Sequence, residues 1–146
     1  MQFTISYGTI GARPCVKMPD PAFLEYVGEE GIRKLVNDHY ELLKESKIKD
    51  IFPQDEKGLA KAKKHAADFL IQICGGHPHF NENRGAPRMI ERHAPFKITQ
   101  EGRRVWLEAF AVLLSKLDIP PHLIKSFWDY LDIFSIWMVN AQPEKV

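Results

Sequence analysis

An all-α fold follows from three features of this 146-residue chain. Apolar residues recur at helical spacing in four long segments, no run alternates apolar and polar residues between hairpin turns, and proline or glycine clusters punctuate the segments. The chain is long enough for one domain with a real core, so folding requires neither disulfides nor a structural metal.

The first 20 or so residues carry Gly8, Gly11, Pro14 and Pro19 without a period, which reads as an N-terminal extension over residues 1–20, either an arm laid on the domain or a mobile tail. A globular domain is expected over residues 21–142, with a frayed tail beyond. Asp20 caps a short helix with Pro21 in its first turn, ending near Val27. From Glu30 to Ser46, Ile32, Leu35, Val36, Tyr40 and Leu43 form one apolar stripe, and His39 shares that face. Pro53 breaks the pattern, because a proline disfavours helical geometry in the residue before it.

Asp55 caps a second long helix to Cys74, with Leu59, Ala62, Ala66, Phe69, Leu70 and Ile73 as its stripe. The stretch from Gly75 to Pro87 is too rich in Gly, Pro and Asn for regular structure and reads as a long loop, either functional or disordered. A single turn from Arg88 to His93 is stopped by Pro95. Thr99 caps a helix to Leu117, and after Pro120 and Pro121 a last helix runs from His122 to Asn140.

Composition narrows the function classes. Hydrophobic residues at 45% and charged residues at 27% belong to a globular protein, not a disordered or fibrous one. A formal charge of +1 gives no global field toward nucleic acid or an anionic membrane, and no helix has the basic face of a recognition helix. Cys15 and Cys74 lie far apart and read as reduced thiols. With no signal-like start and no apolar run of membrane-spanning length, a cytoplasmic protein without nucleic-acid or membrane partners is expected.

Among six histidines, His93 stands out, because Pro95 ends its helical turn and Phe96 follows, which fixes the ring. An imidazole so held suits an axial metal ligand, although a histidine at a helix C-terminus is also an ordinary dipole partner. Tyr40 and Trp106 lie on apolar helix faces, where aromatics commonly serve as core with a satisfied polar end. Cys74, His77 and His79 offer a second grouping with zinc-ligand chemistry, but no further cluster completes it.

Three stretches, Asn83 to Arg88, Arg92 to Ile98 and Arg104 to Leu107, resemble the signature of group II truncated haemoglobins. The resemblance extends to Asp38-His39-Tyr40, Ile51 to Asp55 and Phe69 to Gly76, and spans roughly residues 22 to 140. It implies a truncated globin fold, a two-over-two helical sandwich around haem b (iron protoporphyrin IX).

The resemblance further implies His93 as the proximal iron ligand, with Phe52, Phe69, Met89 and Phe96 as haem contacts. Tyr40 and Trp106 become distal hydrogen-bond donors, and Ala62 and Ala66 small residues that open the distal side. Arg92 is the first candidate partner for the haem propionates, with Arg88 and Lys97 behind it. Lys61, Lys63 and Lys64 read as a wet helix face, and His65 is expected to point sideways from the pocket unless the helix register slips.

The implied function is binding of oxygen, carbon monoxide, nitric oxide or a similar small ligand, for storage, transport or sensing. The alternative is a redox enzyme, a nitric oxide dioxygenase or peroxidase. Turnover would need an external reductase, since the chain has no flavin or nicotinamide motif. Ile136 and Trp137 leave two explanations open, a homodimer surface or a face covered in the monomer by the N-terminal arm.

Overall fold

The computed structural model describes residues 2–143, and every regular element among them is helical. In chain order these are α1 (Ala22–Leu43), a 3-10 turn (Lys49–Ile51), α2 (Glu56–Ile73), α3 (His79–Arg84), α4 (Met89–His93), α5 (Gln100–Leu114) and α6 (Pro121–Ile136). The α1/α2 pair faces the α5/α6 pair, and α1 touches both helices of the second layer. Phe23 of α1 stacks on Phe127 of α6 at 4.3 Å between ring centres, and both are fully buried. Burying two such rings supplies about 3–6 kcal/mol at the layer interface.

Local chemistry sets the helix starts. The Asp20 carboxylate accepts from the Ala22 N–H at 2.9 Å, Asp55 from Gly58 N–H at 2.7 Å, and Thr99 from Gly102 N–H at 3.0 Å. The two helices expected before and after residue 28 run on as one, kinked where Gly28 adopts φ 71°. A side chain there would be strained, so glycine permits the bend.

The stretch Gly75 to Pro87 is not the irregular loop its composition suggests, because α3 forms within it. Gly75 at φ 89° ends α2, with Gly75 N–H donating to Gln72 O and Gly76 N–H to Ile71 O, each at 3.0 Å. Gln72 and the Asn81 side chain and backbone then exchange two 3.0 Å bonds that dock α3 on α2. Tertiary bonds and the buried Phe80 override a poor local propensity.

Three helices end earlier than periodicity predicts, and α1 tightens after Leu43 into i to i−3 bonds. α5 tightens after Leu114 into i to i−3 bonds. α6 stops at Ile136 because Asn140 turns back on the α4–α5 link: its amide donates to Phe96 O at 2.9 Å and its carbonyl accepts from Ile98 N–H at 2.9 Å.

Residues 2–20 form an arm laid on α5 and α6, which decides between the two readings of that segment. Trp128 Nε1–H donates to Thr4 O and Trp137 Nε1–H to Pro14 O, each at 2.9 Å. Ser6 N–H donates to Asp132 at 2.8 Å, and the Arg103 guanidinium donates to Ser6 O at 2.6 Å. Arg103 and Asp132 are themselves a buried ion pair at 2.8 Å. Gly8 lies so close to α6 that a Cβ there would stand 2.6 Å from Ile136. Arm coverage accounts for the apolar Ile136 and Trp137.

Candidate functional site

A half-open cavity of about 380 Å³ lies between the two helix layers, with α3 and α4 along one side. Ten of the residues singled out by sequence, Tyr40, Phe52, Ala62, Ala66, Phe69, Met89, Arg92, His93, Phe96 and Trp106, line it. Its wall is overwhelmingly apolar, with a few convergent polar groups, the usual make-up of a small-molecule site.

One wall is organised by His39. The ring is fully buried, stacks on Phe110 at 3.6 Å, and its Nε2 sits 2.9 Å from Trp106 O. A carbonyl only accepts, so Nε2 carries the proton and donates. Burial pushes the His39 pKa down to about 3, so the ring stays neutral. This bond ties α1 to α5 and sets Tyr40 and Trp106 on adjoining parts of the wall. Burial likewise raises Tyr40 to about 12, so its hydroxyl keeps its proton. Among the described residues, Trp128 and Trp137 spend their indole N–H on the arm, whereas the Trp106 N–H has no protein acceptor.

Phe52 reaches the cavity because the chain leaves the 3-10 turn extended at Phe52 (φ −105°, ψ 153°), as the following Pro53 requires. Its ring meets Tyr40 edge-on at 5.4 Å. Ala62, Ala66 and Phe69 fall on one face of α2 and present two small side chains beside one large one.

On the opposite side His93 ends α4. Its Nδ1 lies 2.6 Å from Met89 O, one turn back, so Nδ1 must donate and Nε2 is left with its lone pair. Burial lowers its pKa, partly offset by that backbone bond. The carbonyl of His93 accepts from Phe96 N–H at 3.0 Å and from Asn140 at 3.4 Å, which fixes the backbone that carries the ring.

Arg92 lines the cavity but is already engaged. Its Nε donates to Pro87 O at 2.6 Å and its Nη2 to Arg84 O and Ala86 O at 3.0 and 3.1 Å, while the guanidinium lies 5.2 Å from the Phe80 ring centre. Those bonds pin the α3–α4 link and leave only the Nη1 donors for a ligand. Arg88 and Lys97 are not on the wall; Arg84, not anticipated as a carboxylate partner, is. Its side chain lies 5.8 Å from the same Phe80 ring.

His65 also departs from expectation, since it lines the cavity instead of pointing sideways. It lies three residues from Ala62 on α2, close to the same face, which helical spacing could have shown. Its Nδ1 is buried without a hydrogen-bond partner among the described residues. Desolvation first, then the nearby Arg84 charge, lowers its pKa. Lys63 is not on a freely wet face either: it reaches across to Asn37 and Glu41 on α1 at 2.8 and 2.7 Å.

The grouping of Cys74 with His77 and His79 does not form. Cys74 is buried with its thiol pKa raised to about 12 by desolvation, and His77 and His79 instead gather with Glu82 at the surface. Among the described residues, no helix is long and apolar enough to cross a membrane.

A model of the bacterial-like globin family matches residues 22–140. The chain is 32% identical over 117 residues to the group 2 truncated hemoglobin YjbI of Bacillus subtilis, covering 80% of this chain and 86% of that protein. It superposes on the crystal structure of phosphate-bound Hell's gate globin IV with a TM-score of 0.86 and 34% identity, over 97% of this chain and 89% of the other. It superposes on a truncated oxygen-avid haemoglobin from Bacillus subtilis with a TM-score of 0.74 and 30% identity, over 81% and 98% of the two chains. The first of these structural matches takes in the N-terminal arm as well as the helices; the second covers less of this chain.

Proposed function

Because the chain belongs to the bacterial-like globins, in their group II truncated haemoglobin branch, we propose that it holds haem b through His93 Nε2 and binds oxygen or a similar diatomic ligand beside Tyr40 and Trp106. The cavity suits such a group by its chemistry. It offers aromatic and aliphatic walls, one imidazole poised as a neutral ligand, and a buried imidazole nitrogen, His65 Nδ1, that lacks a partner among the described residues. Haem held there would supply an iron able to bind a small diatomic ligand.

The observation that carries this reading is the His93–Met89 bond of 2.6 Å. It selects the tautomer with Nε2 unprotonated and aims the ring, the way a ligating histidine is oriented by the partner of its other nitrogen. Phe52, Phe69, Met89 and Phe96 form the apolar walls. Arg84 and the remaining Nη1 donors of Arg92 suit carboxylates at the mouth.

On the other side, the Tyr40 O–H and the Trp106 N–H are donors without acceptors among the described residues. A diatomic ligand that gains partial negative charge on binding is stabilised by such donors and released more slowly. Ala62 and Ala66 leave room for it. A relative described as oxygen-avid supports oxygen as the ligand of this chain. A cytoplasmic location belongs to the same reading, supported by the two free thiols.

Titrating haem into the haem-free protein tests the proposal. Wild type is expected to take up one equivalent with a sharp Soret band, and His93→Ala to lose stable retention. A His93→Ala protein with the wild-type spectrum would place the iron ligand elsewhere.

A further inference from the structure

Away from the cavity, the turn that leads into α3 gathers groups for which the haem reading has no use. His77, His79 and Glu82 bring an imidazole nitrogen, a second imidazole nitrogen and a carboxylate oxygen within 4.8 Å of one another. We propose that these three residues form a surface site for a divalent cation of the zinc class, with Glu29 of α1 as a further carboxylate at its edge.

Local structure explains why they converge. His79 N–H bonds back to His77 O at 2.8 Å across Pro78, which folds the first histidine over the second, and the two rings lie 4.6 Å apart. Glu82 follows His79 by three positions in α3, so helical spacing returns it to the same side. The paired Gln72–Asn81 bonds hold α3 against α2.

Distances suit an ion with little movement. Zinc binds imidazole nitrogen and carboxylate oxygen at about 2.0–2.2 Å, which puts donors on one tetrahedral ion roughly 3.4 Å apart. His77 Nε2 already stands 2.8 Å from Glu82, and His79 Nε2 2.8 Å from Glu29. His77, Glu82 and Glu29 are about half exposed, so their side chains can close in without repacking the core.

Charge and softness select the class. Two neutral imidazoles with two carboxylates neutralise a dipositive ion, and imidazole favours zinc or copper over magnesium or calcium. Arg33 lies 3.8 Å from Glu29 and shares that carboxylate, which is why Glu29 is placed at the edge of the ligand set. The site does not depend on what fills the cavity. It would, however, clamp α3, whose Phe80 and Arg84 line the cavity.

Calorimetric titration of zinc into the haem-loaded protein tests the site, in a Cys15→Ser background that removes the exposed thiol. One saturable site is expected, weakened about tenfold or more by His77→Ala and by His79→Ala, and unchanged by His122→Ala, whose imidazole is exposed elsewhere. Zinc should also raise the unfolding midpoint of the parent but not of the His77→Ala/His79→Ala double variant. No saturable binding by the parent, or equal affinity in the double variant, would overturn the assignment.

Discussion

His39 Nε2 donates to the Trp106 carbonyl across 2.9 Å, so one buried imidazole joins α1 to α5 beside the cavity. Because burial holds its pKa near 3, far below its unfolded value, protonation favours the unfolded chain. This contribution is fully present above the unfolded histidine value and is lost as pH falls from about 6.5 toward 3, by up to about 1.4 kcal/mol per pH unit. Denaturant titrations of wild type and His39→Phe should show a steeper slope in the first, the remainder in the second coming from His65 and His93, whose pKa values are also lowered. The phenyl ring keeps the stack on Phe110 and loses the hydrogen bond, at about 1 kcal/mol near neutral pH. Parallel acid sensitivity in both proteins would remove His39 from the account.

Tyr40→Phe deletes the hydroxyl proposed to face the ligand while retaining the ring edge against Phe52. Oxygen release is expected to speed up by about one or two powers of ten, each tenfold being about 1.4 kcal/mol. Stopped-flow displacement measures it, and an unaltered off-rate would mean that the hydroxyl does not touch the ligand.

Arg103 and Asp132 form a buried pair that also anchors Ser6 of the arm. Arg103→Leu strands a buried carboxylate and should cost about 3–5 kcal/mol. Arg103→Leu/Asp132→Leu together should recover much of that loss. A double variant as unstable as the single one would show that the arm's bonds to the pair, and not the stranded charge, dominate.

His65 Nδ1 lies buried at the cavity wall with no partner among the described residues. In the haem-free protein His65→Leu is therefore expected to leave stability unchanged or raised, since replacing an unsatisfied polar group removes a penalty of about 1–3 kcal/mol. Thermal unfolding of the haem-free variants decides it, and a clear loss of stability would reveal a partner for the ring.

Residue spacing made the helices and most of the cavity wall legible. The stripes of α1, α2 and α5 each follow a 3.6-residue period, and the capping roles of Asp20, Asp55 and Thr99 are local chemistry that a sequence states outright. What escaped it depends on side-chain contacts between elements, which periodicity does not encode. α3 exists through Gln72–Asn81 bonds and a buried Phe80, α6 stops because Asn140 reaches Phe96 and Ile98, and Arg92 is consumed by carbonyls of the preceding link. His65 was open to inference from its spacing to Ala62; that Lys63 would cross to α1 was not.

The iron–histidine bond proposed for His93 is open to direct measurement. Resonance Raman spectra of the ferrous, ligand-free protein should contain an iron–nitrogen stretching band that shifts when histidine is labelled with ¹⁵N. In His93→Gly the band should vanish and return on adding free imidazole. If His93→Gly keeps the isotope-sensitive band without imidazole, the proximal assignment fails and the reading of the cavity fails with it.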